Sequence, residues 1–197
     1  PKVRWAEIDI TEYCDLNCIW CYADASKKKN KFMSFETFKK IIKKLVQNEL
    51  IQITISGGEP LLHPKIDKFV EYASKYDLIV HINSNGFYLS ENLAKVLKLC
   101  GLTQIQMNIE SINPELHDFI RGKKGAYKRV LKAFENAYKN EINTVALTVI
   151  TAFNFNQLRE LLLFAKEHNI TRFRVWDMVP RGRGKNQQDI YIKNYSK

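Results

Sequence analysis

No stretch of this chain approaches the roughly 18 consecutive apolar residues of a membrane span, so no membrane partner is expected. The N-terminal PKVRWAEIDI carries no signal-like apolar stretch, and the expected location is cytoplasmic. There is no internal repeat, no low-complexity segment and no linker before Arg181. Zinc-finger spacing and RNP-like aromatic motifs are also missing, so nucleic acid is not an expected partner. Cysteine is scarce, with four in 197 residues. Cys14, Cys18 and Cys21 fall within eight positions and Cys100 stands far away, which speaks against two disulfides. Three tightly spaced thiols without a secretion signal read as metal ligands in a reducing compartment. Cys100, at a helix end before Gly101, reads as a structural thiol.

What is present is ordinary for a globular protein. Hydrophobic residues are 45% and charged residues 26%, which excludes wholesale disorder. A chain this long buries about 70% of its unfolded surface, so it needs no metal merely to fold. On a prior of roughly 150 residues per domain, we expect one core domain over residues 1–180. Residues 181–197 are expected as a basic tail leading into a further C-terminal domain. The net charge is +10. Lys27, Lys28, Lys29 and Lys31 form one cluster, and Arg181, Arg183 and Lys185 open the tail that continues to Lys197. Without nucleic-acid motifs, this charge reads as a solvated lysine-rich surface.

Short β-like runs alternate with helix-like runs. The predicted strands are Arg4–Thr11, Leu50–Ser56, Leu78–Ser84, Thr103–Ser111, Ile142–Thr151 and Arg172–Met178. The predicted helices are Ser34–Glu49, Pro64–Tyr76, Ser90–Leu99, Ala126–Asn140 and Asn154–Asn169. Ser34, Ser90 and Asn154 stand where N-caps belong. Leu158, Leu161, Leu162 and Ala165 repeat at helical spacing and predict one packed face. Six strands alternating with helices indicate parallel βαβ units.

Buried parallel strands usually read as continuous apolar runs, yet these alternate. Glu7 and Asp9 interleave with Ala6, Ile8 and Ile10, Gln104, Gln106 and Asn108 with Ile105, Met107 and Ile109, and Arg172, Arg174 and Trp176 with Phe173 and Val175. Side chains alternate faces with period 2, so each strand has one polar face. A small closed barrel fills its interior with branched apolar side chains. Six strands with a polar interior therefore predict an open, incomplete barrel holding a polar ligand, against the rival of a two-layer sheet with one wet face. Glu7, Asp9, Arg172 and Arg174 would pair inside that lumen or contact substrate.

The first chemical motif is Cys14-Asp15-Leu16-Asn17-Cys18-Ile19-Trp20-Cys21, directly after the first strand. Thiolates bind iron–sulfur clusters and zinc. Three cysteines on a cubane leave one iron open to another ligand, whereas a Cys3His zinc site would recruit His63 or His81. The second motif is Ser56-Gly57-Gly58-Glu59-Pro60, ending the second strand. Two glycines let backbone approach a ligand closely, and Glu59 can accept hydrogen bonds from an ammonium group. Both motifs lie at the barrel end where active sites are built.

Together they resemble the radical S-adenosylmethionine (radical SAM) superfamily, whose signature is C-x3-C-x-aromatic-C after the first strand and GGE after the second. Trp20 fills the aromatic place. His63-Pro64, Ser84-Asn85-Gly86, Asp118-Phe119-Ile120-Arg121-Gly122 and Pro180-Arg181-Gly182-Arg183-Gly184 also stand where members carry similar residues. The resemblance implies an α/β fold, a partial (β/α)6 TIM-like barrel, and a [4Fe-4S] cluster on Cys14, Cys18 and Cys21. It implies S-adenosyl-L-methionine chelated to the open iron, with Glu59 and the Gly57–Gly58–Pro60 turn at its amine. Ser84, Asn108 and Arg121 are then candidates for ribose and carboxylate contacts, and Trp20 with the Tyr22 backbone for adenine. The implied reaction is reductive cleavage to a 5'-deoxyadenosyl radical that abstracts hydrogen, with electrons from a donor such as flavodoxin or ferredoxin. Pro180–Gly184 resembles the stretch closing the core of SPASM-type peptide- and cofactor-maturing branches, which implies a peptide or small-molecule substrate. Those branches often have Ser-x-Asp on the fourth strand, where this chain has Asn108-x-Glu110. The alternatives are a small-molecule isomerase or glycyl-radical activase of the same superfamily, or a non-catalytic zinc or nucleic-acid binder.

Overall fold

The computed structural model describes residues 2–192; residues 193–197 of the expected tail lie outside the described residues. The elements run β1 (Trp5–Asp9), α1 (Phe35–Val46), β2 (Gln52–Ser56), α2 (Ile66–Ser74), β3 (Ile79–Ser84), α3 (Glu91–Leu99) and β4 (Leu102–Asn108). They continue as α4 (Pro114–Arg121), α5 (Ala126–Lys139), β5 (Asn143–Ile150), α6 (Leu158–Glu167) and β6 (Arg172–Asp177). All six predicted strands are present, each shorter than its apolar pattern. They form one parallel sheet in the order β1-β2-β3-β4-β5-β6.

The apolar members of the alternation point to the helices. Ile8, Ile53, Ile55, Val80, Ile82, Ile105 and Met107 pack with Phe38, Ile42, Phe69, Val70, Leu97, Val130 and Phe134 in one buried core. The polar members point the other way. Glu7 on β1 and Trp176 on β6 line the same cavity, although these strands are the opposite edges of the sheet. The sheet is therefore curled, a partial (β/α)6 barrel rather than a flat layer. Gln106 and Asn108 line that cavity too, and Arg174 donates to Gln106 Oε1 at 3.1 Å. The expected pairing of Glu7 and Asp9 with Arg172 and Arg174 does not form among the described residues. Glu7 instead accepts from Asn83 at 3.3 Å, because the acids and the arginines stand on the two edges that stay apart.

Local chemistry explains most element ends. Ser34 and Ser90 cap α1 and α3 by accepting from Thr37 N and Leu93 N at 3.1 Å each. α4 is an addition to the predicted set. Asn113 accepts from Leu116 N at 2.8 Å, Pro114 occupies the first turn, and Gly122 ends the helix at φ +63°, the Pro-in, Gly-out asymmetry of a short helix. Two expectations for α6 are corrected. Its buried face is Leu161, Phe164 and Ala165, with Leu162 57% exposed. Asn154 does not cap it. Fully buried, Asn154 donates to Glu110 O at 2.8 Å and Val149 O at 3.0 Å and accepts from Thr151 N at 2.8 Å, tying the end of β5 to the loop after β4. Asn154→Ala would leave these buried groups unpaired at about 1–3 kcal/mol. Its thermal midpoint should fall by several degrees in a melting experiment; an unchanged midpoint would show that water replaces the amide.

Candidate functional site

The cysteine loop begins where β1 ends, and the glycine turn after β2 holds it there. Gly58 N donates to Thr11 O at 2.7 Å and Glu59 N to Tyr13 O at 2.8 Å. A Cβ on Gly58 would lie 2.2 Å from Tyr13 O, a backbone atom that cannot yield cheaply. Three further segments fasten the loop. Asn17 N and Ile19 N donate to the carbonyls of Arg121 and Ile120 at the end of α4. Asp15, nearly buried, accepts from Asn85 Nδ2 at 3.2 Å and pairs with Lys123. Arg183 donates from Nε to Cys18 O at 2.8 Å and from Nη1 to Ala25 O at 2.9 Å, while its backbone N–H reaches Cys21 O at 2.9 Å. Gly182 (φ +54°) permits this approach, since a Cβ there would lie 2.4 Å from Cys21 O. The stretch from Arg181, expected as a tail, thus packs on the cysteine loop. Ile190 continues the contact by joining Trp20, Ile120, Val149 and Met178 in a small buried cluster.

Cys14, Cys18 and Cys21 are free thiols facing a cavity of about 180 Å³. Burial, reinforced by the Glu59 charge, pushes Cys14 up to about 12, and burial pushes Cys18 up as well. Thiolates there need nearby positive charge. Arg121 supplies one. It is buried, lies 5.4 Å from the Trp20 ring and donates to Glu110 Oε1 at 3.3 Å. Burial works against its charge, but Cys18 and Glu110 hold it above the ordinary arginine value. Glu110 also accepts from Asn108 Nδ2 and Val149 N at 2.9 Å each, and burial, against the pull of Arg121, lifts it to about 7.

Of the remaining residues singled out from the sequence, Trp20, Tyr22, Gly57, Gly58, Ser84, Asn108 and Arg121 line the cavity, whereas Glu59 and Pro60 are buried and do not line it. Pro60 opens a 3-10 turn over Pro60–Leu62. The Glu59 carboxylate is fully buried and accepts from Leu61 N at 2.9 Å, Ser84 Oγ at 2.7 Å and Asn85 N at 2.7 Å. Burial raises it to about 7 against those three donors. Sequence reasoning did not single out Leu147, Val149, Asp177 or Arg183 as wall residues, nor Glu110 as the partner of Arg121. Asn83 and Asn85 had a signal in the polar alternation that runs through the third strand against Val80 and Ile82, and Arg183 stood inside a quoted motif; Leu147, Val149 and Asp177 had none.

The donor set is three free thiols on one cavity wall, with no histidine among its described lining residues. Thiolates are the ligands of iron–sulfur clusters, whereas a Cys3His zinc site would lack its fourth ligand here. Neither histidine lines the cavity. His63 bonds Met33 O at 3.0 Å through Nε2 and accepts from Lys65 N at 3.1 Å through Nδ1. His81 Nδ1 meets Gln104 Nε2 at 3.2 Å. The cavity also carries a waiting donor. Trp20 Nε1 is buried and bonds nothing, and such groups ordinarily have a partner, protein or bound molecule.

A family model described as the radical SAM superfamily matches residues 8–190. The chain belongs to that superfamily. Its members bind a [4Fe-4S] cluster and S-adenosylmethionine and are enzymes. The AdoMet-dependent heme synthase of Methanosarcina barkeri is 26% identical over 190 residues, 96% of this chain and 54% of the relative. The mycofactocin maturase MftC of Mycolicibacterium smegmatis is 27% identical over 182 residues, 92% of this chain and 46% of the relative. The chain thus spans about half the length of these curated relatives. Among solved structures, Streptococcus suis SuiB bound to the precursor peptide SuiA superposes with TM-score 0.81 at 20% identity, over 91% of this chain and 40% of that one. Methylornithine synthase (PylB) gives 0.79 at 16%, over 99% and 59%. Both show the fold. Among the described residues no helix is long and apolar enough to cross a membrane.

Proposed function

We propose that Cys14, Cys18 and Cys21 hold the [4Fe-4S] cluster and that this core cleaves S-adenosylmethionine reductively to start hydrogen abstraction in the maturation of a peptide. The observation that carries the reading is the convergence of three free thiols, the glycine turn and a buried arginine on one cavity. When bound, the reduced cluster supplies one electron that splits the cofactor's sulfonium, and the cofactor rather than the protein carries the hard chemistry. The protein supplies position and charge. Arg121, held by Glu110, offsets the negative charge of the thiolates and offers a cation to a carboxylate. Trp20 Nε1 offers a donor to a base or sugar acceptor, and Ser84 and Asn108 offer polar contacts to hydroxyls. Glu59 sets Ser84 and the Asn85 turn in place and has one carboxylate lone pair left for an ammonium group. The polar lumen below, with Glu7, Asn83, Gln106 and Trp176, receives the substrate.

A peptide substrate is favoured by MftC, a maturase, and by SuiB, whose structure holds a precursor peptide. The half-length match leaves room for the further domain expected beyond the basic segment 181–197 in the complete protein. A cytoplasmic location and an external electron donor belong to the same reading. Anaerobically reconstituted protein given dithionite and S-adenosylmethionine should release 5'-deoxyadenosine. Intact S-adenosylmethionine after prolonged incubation of iron-loaded protein would sink the proposal.

A further inference from the structure

A belt of four side chains crosses the lumen. Glu7 on β1 accepts from Asn83 Nδ2 on β3 at 3.3 Å, reaching over β2. Arg174 on β6 donates to Gln106 Oε1 on β4 at 3.1 Å, reaching over β5. Asn83 and Gln106 are register partners on adjacent parallel strands, and Glu7, Asn83 and Gln106 line the cavity. The charged ends of the belt fix the orientation of both amides. An ionised carboxylate only accepts and a guanidinium only donates, so Asn83 turns Nδ2 to Glu7 and Gln106 turns Oε1 to Arg174. That leaves an acceptor, Asn83 Oδ1, and a donor, Gln106 Nε2, on neighbouring strands. Neither has a hydrogen-bond partner among the described residues. Gln106 is buried, and buried polar groups ordinarily have their bonds completed by protein, water or a bound molecule.

Resting on the peptide substrate proposed above, we infer that Asn83 and Gln106 grip the main chain of one extended substrate residue, Asn83 Oδ1 accepting from its N–H and Gln106 Nε2 donating to its C=O. In extended backbone the N–H and C=O of one residue point to the same side, as they do where antiparallel strands exchange both bonds between two residues. Neighbouring strands about 4.8 Å apart bring the two amides within reach of both groups. The charges give the grip a direction. The N–H side falls towards Glu7, with Asp9 on the same face of β1, and the C=O side towards Arg174, with Arg172 on the same face of β6. A peptide running from the β1 edge to the β6 edge therefore sets its amino-terminal side by acids and its carboxy-terminal side by arginines. These two edges do not pair with each other, and Glu7 and Arg174 are exposed, so a chain can leave the lumen at both ends. The open ends favour a peptide over a free amino acid, whose two charges would close against the same belt.

The probes are acetyl-Pro-Ala-Pro-amide and its ester analogue, in which lactate replaces alanine and an oxygen replaces the alanine N–H. Proline has no N–H and holds the residue before it extended, so alanine alone offers the gripped pair. Dissociation constants are measured by NMR titration, on iron-free and on reconstituted protein. The amide should bind about tenfold more tightly than the ester, which sets an oxygen against Asn83 Oδ1. In Asn83→Ala the ratio should fall to about one, and Gln106→Ala should weaken both probes about tenfold. The comparison of the two probes on the parent needs no variant to fold. Equal binding of amide and ester by the parent, binding of neither, an unchanged ratio in Asn83→Ala, or free alanine bound more tightly than the tripeptide would overturn the inference. Amide-selective binding by protein that releases no 5'-deoxyadenosine would overturn the radical reading and leave the grip standing. Release of 5'-deoxyadenosine with equal amide and ester binding would do the reverse.

Discussion

Replacing any one of Cys14, Cys18 or Cys21 with alanine should abolish the iron–sulfur cluster, while Cys100→Ala should leave it intact. Parent protein reconstituted without oxygen should be brown and hold about four irons per chain, the content of one cubane. The loss should be complete because neither a histidine nor a fourth cysteine lines the cavity among the described residues. His63 has both ring nitrogens engaged and His81 is bonded to Gln104, and Cys100 sits at the end of α3, away from the cavity. Two of the three thiols are buried, so a lost sulfur leaves an apolar methyl rather than open water. Iron analysis and the visible absorption band read the result directly. Stoichiometric zinc in place of iron, or a full cluster in the Cys14→Ala protein, would defeat the assignment.

The polar strand alternation carried the fold in the sequence, because period 2 is a local property and the curl follows from needing a place for the polar face. Ser34 and Ser90 were legible for the same reason, a cap acting within one turn of its own helix. Asn154 looked identical in sequence and does something else, since its partners lie on β5 and the loop after β4. Leu162 fits a helical period but faces solvent, because spacing defines a stripe without saying where its edge falls. α4 was hidden by the recognised stretch around Arg121, although Asn113-Pro114 and Gly122 mark its ends. In the site, residue types were legible and side-chain directions were not. The Arg183 contact with Cys18 spans 165 positions, and no local pattern announces such a pairing. Asn108-x-Glu110 stands where the SPASM-type branches often have Ser-x-Asp. In the structure Glu110 turns inward and braces Arg121 and Asn108 from behind.

Glu59→Ala should damage both stability and cofactor affinity. From the sequence, Glu59 is a carboxylate presented to an ammonium group, and its loss would weaken S-adenosylmethionine binding about ten- to a hundredfold, the worth of one charge-assisted hydrogen bond. Its position adds a second consequence. The carboxylate is the common acceptor for Leu61 N, Ser84 Oγ and Asn85 N, so it joins the glycine turn after β2 to the turn after β3. Removing it leaves three buried donors unpaired, at roughly 3 kcal/mol or more, which in a domain of this size lowers the thermal midpoint by about 6–12 °C. Glu59→Gln should recover only part of this. An amide oxygen can replace Oε1 toward Leu61 and Ser84, but the amide nitrogen would then confront the Asn85 N–H, donor against donor. Melting curves and calorimetric titration, taken on the same samples, separate the two contributions. A large fall in affinity at an unchanged midpoint would mean that Glu59 acts on the cofactor alone. A large fall in midpoint at unchanged affinity would remove it from cofactor binding and leave it as the clamp between the two turns.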